Sequence, residues 1–226
     1  MKLIYLLLIV LVLSACASTG EKKEEVEVFK VDLKSQNIPL GEIEVQLPPL
    51  MGLGKIKKIV IPVLYFPRED AVCLQYKKDF ITYHQFWNKK GRQDFINALA
   101  MYNEEYDSRT LKVNSGRKEK QAYGITQGYL TWQQFSFSIL AKAPMDIQLG
   151  YTFKERTPYF LVSQLEADYI DPMTRDQNRR SLVIPFFFTR AQAANLEVLF
   201  DQSILNGFIQ EHFDKINTED NYFEEI

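Results

Sequence analysis

Hydrophobic periodicity restricts the fold more than any other feature of this chain. Through most of it, apolar residues recur every second position, the period of a strand with one buried face. Ile43, Val45 and Leu47 alternate with Glu42, Glu44 and Gln46, and Pro48-Pro49 ends the run. Ile147, Leu149, Tyr151 and Phe153 repeat the pattern. The chain then turns through Lys154 to Pro158, and Tyr159, Leu161, Leu165 and Tyr169 alternate on the way back, which predicts a hairpin. Ile59 to Phe66 and Leu182 to Phe188 are continuous apolar runs of strand composition. Pro62 assigns the first of these to an edge or a bulge, because proline cannot donate to a ladder. Further strands are expected from Val26 to Val31, around Val72 to Tyr76, from Phe80 to Trp87, and within Tyr123 to Leu140.

The period lengthens to that of a helix twice. Phe95, Leu99, Tyr102 and Tyr106 form one helical stripe, predicting a helix from near Gly91 to about Ser108 with Asp94 in its first turn. Thr189-Arg190-Ala191-Gln192 has the form of a capping box, so a second helix should start at about Arg190 and bury Ala193, Leu196 and Phe200. Asn206-Gly207 is expected to break or kink it before a second apolar face of Phe208, Ile209, Phe213 and Ile216. The fold class that follows is α+β, a mainly antiparallel sheet with two main helices packed on it. Each half reads as strands followed by a helix, and Ile59-Val60-Ile61-Pro62 rhymes with Leu182-Val183-Ile184-Pro185. A duplicated strands-then-helix unit would give that order, and so would convergence on buried-strand composition. One domain is expected over residues 26–216, with a weak division at the polar stretch 112–120, followed by an acidic, frayed tail over 217–226.

The N-terminus obeys different rules. Lys2 precedes Leu3 to Leu13, an eleven-residue run without charge. About 20 residues are needed to span a bilayer, so the run reads as a signal peptide of residues 1–15. Leu13-Ser14-Ala15-Cys16 resembles the lipobox of bacterial lipoproteins. That resemblance implies cleavage before Cys16, lipidation of its sulfur, a membrane as partner, and a place in the cell envelope on either membrane or at the surface. Two or three acyl chains hold a protein stably where one does so only marginally. Residues 16–25, with the small and charged Ala17 to Glu25, have nothing to bury and read as a flexible tether.

Composition closes several routes to function. Without Lys2 the chain has 26 basic and 29 acidic residues, which gives no electrostatic footprint for nucleic acid. Sixteen Phe and twelve Tyr against ten Gly and nine Pro describe a folded, strand-rich chain. With Cys16 lipidated, Cys73 is the remaining thiol, so neither a disulfide scaffold nor a thiolate metal cluster can form. Cys73, within Ala71-Val72-Cys73-Leu74, reads as buried and inert. His84 and His212 fall on different elements without partners at ligand spacing and read as structural, so no metal and no cofactor are expected. Met51 to Lys55 contains Gly-x-Gly-Lys but lacks the spacing of a phosphate-binding loop.

Two cationic clusters are candidates for binding an anion. Lys89, Lys90 and Arg92 follow Trp87 at a helix N-terminus. Arg175, Arg179 and Arg180 lie in the polar loop that begins at Asp171-Pro172. Each is weighed against an ordinary solvated turn. Glu166 and Asp168, two apart on a strand, share a face as a carboxylate pair would, although that face is equally the wet side of a sheet. The expected function is a lipid-anchored envelope lipoprotein acting as a non-catalytic binding module for a protein, lipid or glycan. An envelope hydrolase with a carboxylate site and a small solute-binding lipoprotein are the alternatives.

Overall fold

The structure is a computed structural model that describes residues 37–49, 56–113, 116–133, 140–170 and 178–223. Cys16, the tether, the Val26–Val31 strand, Arg175 and the residues Phe135, Phe137 and Ile139 lie outside the described residues.

The antiparallel sheet closes on itself. Strands β1 (Ile38–Leu47), β2 (Lys57–Phe66), β3 (Ala71–Lys78), β4 (Ile81–Trp87), β5 (Gly124–Gln133), β6 (Ala141–Lys154), β7 (Thr157–Gln164) and β10 (Ile184–Phe188) meander in chain order, and β10 returns to β1 to complete an eight-stranded barrel. Between β7 and β10 the chain makes a separate two-stranded hairpin, β8 (Asp168–Ile170) with β9 (Asn178–Arg180). Helix α1 (Lys89–Asp107) and the single turn α2 (Gly116–Glu119) join β4 to β5, while α3 (Arg190–Phe200) and α4 (Gln202–Phe223) follow β10. Four barrel strands and a helix therefore occur twice in succession. The sheet is antiparallel and helix-backed as the periodicity implies, but closed. Closure removes the sheet edges that a chain so rich in strand would otherwise expose.

The sequence rhymes do not map onto equivalent places. Ile59 to Pro62 lies on the second strand, whereas Leu182 to Pro185 leads into the last. What the two prolines share is a gap in pairing. Pro62 opposes Glu42 of β1, while the β2–β3 ladder begins only at Val63. Pro185 opposes Ser163 of β7, and β10 meets β1 only at Phe187 with Gln46. Each proline thus sits where one side of its strand has no ladder to supply, so the edge expected from Pro62 is local. Gly41, at φ +131, marks a bulge in β1 where the register shifts against β2.

Inward-facing side chains fill the barrel, as they can in one of eight strands. At the end reached by the C-termini of β4 and β10, helices α1 and α3 stop it with aromatic rings. Trp87 meets Phe95 and Phe200 at centroid distances of 6.0 and 5.2 Å, and Phe95 meets Phe160 at 5.4 Å. The cap of α1 is Asn88, whose Oδ1 accepts from the Gly91 N–H at 2.7 Å. The cap of α3 is the expected box, with the Gln192 N–H on Thr189 Oγ1 and the Thr189 N–H on Gln192 Oε1. Arg190 joins the two helices by a bidentate pair with Asp107 at 2.6 and 3.1 Å.

Two expectations near the C-terminus need correction. The helix breaks at Asp201, which is extended and accepts the N–H groups of Ser203 and Ile204, and not at Asn206-Gly207. Gly207 is exposed with no neighbour near its missing side chain, so α4 carries it for about 1 kcal/mol. The backbone stays helical to Phe223, past the start of the tail expected to fray. The stretch 112–120 divides nothing, because β4 pairs with β5 across it. There Gly150 lets the chain after α2 lie against β6, with the Glu119 carbonyl 2.2 Å from where a Cβ would stand.

Candidate functional site

The two cationic clusters lie at opposite ends of the barrel. Lys89 and Lys90 are the first exposed residues of α1 at the helix-capped end, and Lys90 Nζ sits 2.9 Å from Asp94. Arg92 departs from the expected anion site. It is 1% exposed, donating from Nη2 to Asp70 Oδ1 at 2.7 Å and to Gln202 Oε1 at 2.7 Å. Its Nη1 donates to the carbonyls of Asp70 at 2.6 Å and Trp87 at 3.2 Å. A spacing of two residues beyond Lys90 turns Arg92 from the water-facing side of α1 onto its buried stripe. Tyr65 donates to the same Asp70 Oδ1 at 3.0 Å, and burial followed by that bond pushes its hydroxyl up to about 12. This knot holds the β2–β3 turn, α1 and α4 together, and both Nη groups of the guanidinium are taken up in it, away from solvent.

Arg179 and Arg180 stand on β9, on the side of the barrel away from the helices. Arg180 bridges the candidate carboxylates, 3.4 Å from Glu166 and 3.0 Å from Asp168. Glu166 precedes β8, so the two do not share a strand face as expected; Arg180 brings them together and neutralises them. Both carboxylates are exposed, and nothing buries one so as to separate their roles in acid–base work. Among the described residues no cluster of three His, Cys, Asp or Glu side chains could hold a metal ion.

The isolated groups behave as structural ones. Cys73 is fully buried in a small outward cluster with Phe66, Ala71, Phe86 and Tyr129, and burial pushes its thiol well above the usual range. His84 lies on the outer face of β4 with Nδ1 3.4 Å from Thr131 Oγ1, and burial holds it below its ordinary value. His212 is on α4, far along the chain from His84 and on a separate element.

Inside the barrel, the Tyr76 hydroxyl donates to Gln164, whose amide donates to the Leu182 carbonyl at 2.9 Å. That bond ties the segment before β10 to the interior. Tyr76 stacks on Tyr83 at 5.2 Å and meets Phe186 edge-on at 5.0 Å. Gln85, one pleat from Tyr83, is fully buried, and its amide has no partner among the described residues.

The most exposed large apolar side chain of the described residues was missed by periodicity. Phe80, 86% exposed, occupies the tip of the β3–β4 hairpin. Asp79 and Phe80 have φ of 53° and 67°, the two-residue geometry usually given to Asn-Gly or Asp-Gly. An Asp-Phe pair between two strand patterns was the available signal, hidden because Phe80 reads as the first residue of a strand. Leu182 and Val183 are also exposed, and they precede β10 at the same end.

The barrel's outer face carries Glu44, Lys58, Lys142 and Asp146 within its strands, charges that a lipid-facing band would hold at a cost. No helix among the described residues is long and apolar enough to cross a membrane. A family described as an uncharacterised Treponema protein matches residues 18–207. No curated protein and no solved structure matches the chain.

Proposed function

The chain belongs to the family of uncharacterised Treponema proteins, and within it we propose a non-catalytic, lipid-anchored binding module of the cell envelope. The observation that carries this reading is the filled barrel. Its interior is aromatic and aliphatic core, and the candidate carboxylates Glu166 and Asp168 are paired with Arg180. Contact with another molecule therefore falls to the outer surface. The family match beginning at Ser18, two residues beyond Cys16, agrees with a leader and lipobox that precede the working domain. Cys16 supplies the membrane, and the tether lets the barrel turn over it. The repeated order of four strands and a capped helix suits a duplicated unit closed into one barrel. Palmitate labelling in a bacterial host tests the anchor. The wild-type chain should label and Cys16→Ala should not; an unlabelled wild-type chain in the soluble fraction would overturn it. Capture from envelope extracts tests the binding role, and turnover of an envelope polymer without capture would replace it by a hydrolase.

A second reading, a small solute held inside the barrel, draws on the unpartnered amide of Gln85. Buried polar groups without partners cost about 1–3 kcal/mol. If the interior is only core, Gln85→Leu should raise stability by about 1–2 kcal/mol in urea melts and leave capture unchanged. Loss of capture with Gln85→Leu would favour the solute.

A further inference from the structure

We propose that the hairpin end of the barrel rests on an anionic bilayer and that Phe80 is the side chain that enters it. The inference rests on the lipid-anchor reading and adds to it an orientation and a contact residue. Phe80 is 86% exposed in a turn whose positive φ values favour glycine. Fold stability gains nothing from an aromatic ring there. The β6–β7 turn at the helix-capped end provides the control, because Glu155 and Arg156 adopt the same signs of φ, 49° and 76°, with two charged side chains. Turn geometry alone does not ask for phenylalanine.

The surroundings of Phe80 fit a bilayer surface. Lys77 and Lys78 precede it, Lys57 and Lys58 begin β2 at the same end, and Leu182 and Val183 add exposed apolar surface. The acidic groups among them are partly spoken for. Asp79 lies 3.7 Å from Lys78, Glu44 lies 2.9 Å from Lys58, and Arg180 holds Glu166 and Asp168. The helices at the other end carry charges of both signs, Lys89, Lys90 and Arg190 with Glu104, Glu105, Asp107, Glu197 and Asp201. An anionic surface is therefore met at the hairpin end by Lys57 and Lys77 beside exposed apolar side chains. The anchor permits this orientation although β1 begins at the helix-capped end. About 20 residues separate Cys16 from Ile38 and reach roughly 70 Å when extended. The 14 residues of β6, the longest strand, span roughly 46 Å.

The test uses the lipidated chain in vesicles of phosphatidylglycerol and phosphatidylethanolamine. Phe80→Trp adds an indole to the buried Trp87 and Trp132, and the variant's emission should be shifted to the blue relative to the same variant free of vesicles and quenched by lipids brominated near the headgroup. The shift should shrink at least several-fold in vesicles without phosphatidylglycerol or in high salt. Val198→Trp, at the helix-capped end, should show neither effect. Unquenched emission from Phe80→Trp while the chain floats with the vesicles would overturn the proposal, as would equal quenching at both positions. Protection of Phe80→Trp only after envelope proteins are added would overturn it in favour of a protein partner. A chain that does not float with vesicles removes the anchor reading itself, which separates the two failures.

Discussion

The two ends of this barrel are built on opposite principles. At the helix-capped end hydrogen bonds and ion pairs tie the elements together: Asn88 and Thr189 cap their helices, Arg190 pairs with Asp107, and Arg92 gathers Asp70, Gln202 and the Trp87 carbonyl. Aromatic rings from both helices pack beneath them. At the hairpin end an exposed phenylalanine sits in a strained turn between lysines, and two more apolar side chains face water. The helices expose Met101, Val198 and Ile204 as well, so what sets the hairpin end apart is an aromatic ring 86% exposed in a left-handed turn.

Substitutions should separate the ends by both sign and size. Arg92→Ala strands Asp70 and the Trp87 carbonyl at the stable end and should lower stability by about 3–5 kcal/mol, measured by urea unfolding. Gly150→Ala forces the chain after α2 away from β6 and should lower it by about 1–3 kcal/mol, seen as a depressed Tm. At the hairpin end the sign reverses. Phe80→Gly loses almost no burial and relieves a left-handed residue, so stability should rise by about 0.5–1 kcal/mol. A loss on Phe80→Gly would mean that the ring packs on something. The smallest effect is expected from His84 on the outer wall. Burial depresses its folded pKa, so its contribution is present above about pH 6.5 and fades as pH falls through the folded value. His84→Gln should flatten that acid limb in stability measured from pH 7.5 to 5.

Much of the fold was legible because a period of two survives in a barrel wall. Ile43, Val45 and Leu47 point inward as their alternation demands, and so do Ile147, Leu149 and Tyr151. Both helices and the Thr189 capping box could be read from local chemistry, which tertiary contacts reinforced. Closure could not be read, since the pairing of β1 with β10 joins residues far apart in sequence and leaves no local mark. Asp201 was missed because a cap between two helices looks like one polar position in a continuing stripe. The candidate cations were legible as charges but not as neighbours. Only packing shows that Arg92 is consumed by Asp70 and that Arg180 is shared by Glu166 and Asp168.

The contrast between the ends is tested most directly by hydrogen–deuterium exchange of the lipidated chain, free in detergent and bound to anionic vesicles. Slower exchange on vesicles at residues 77–83 and 57–61, with α1 and α3 unchanged, is the predicted result. Protection of α1 and α3 with the β3–β4 hairpin unchanged would contradict the account and turn the barrel over.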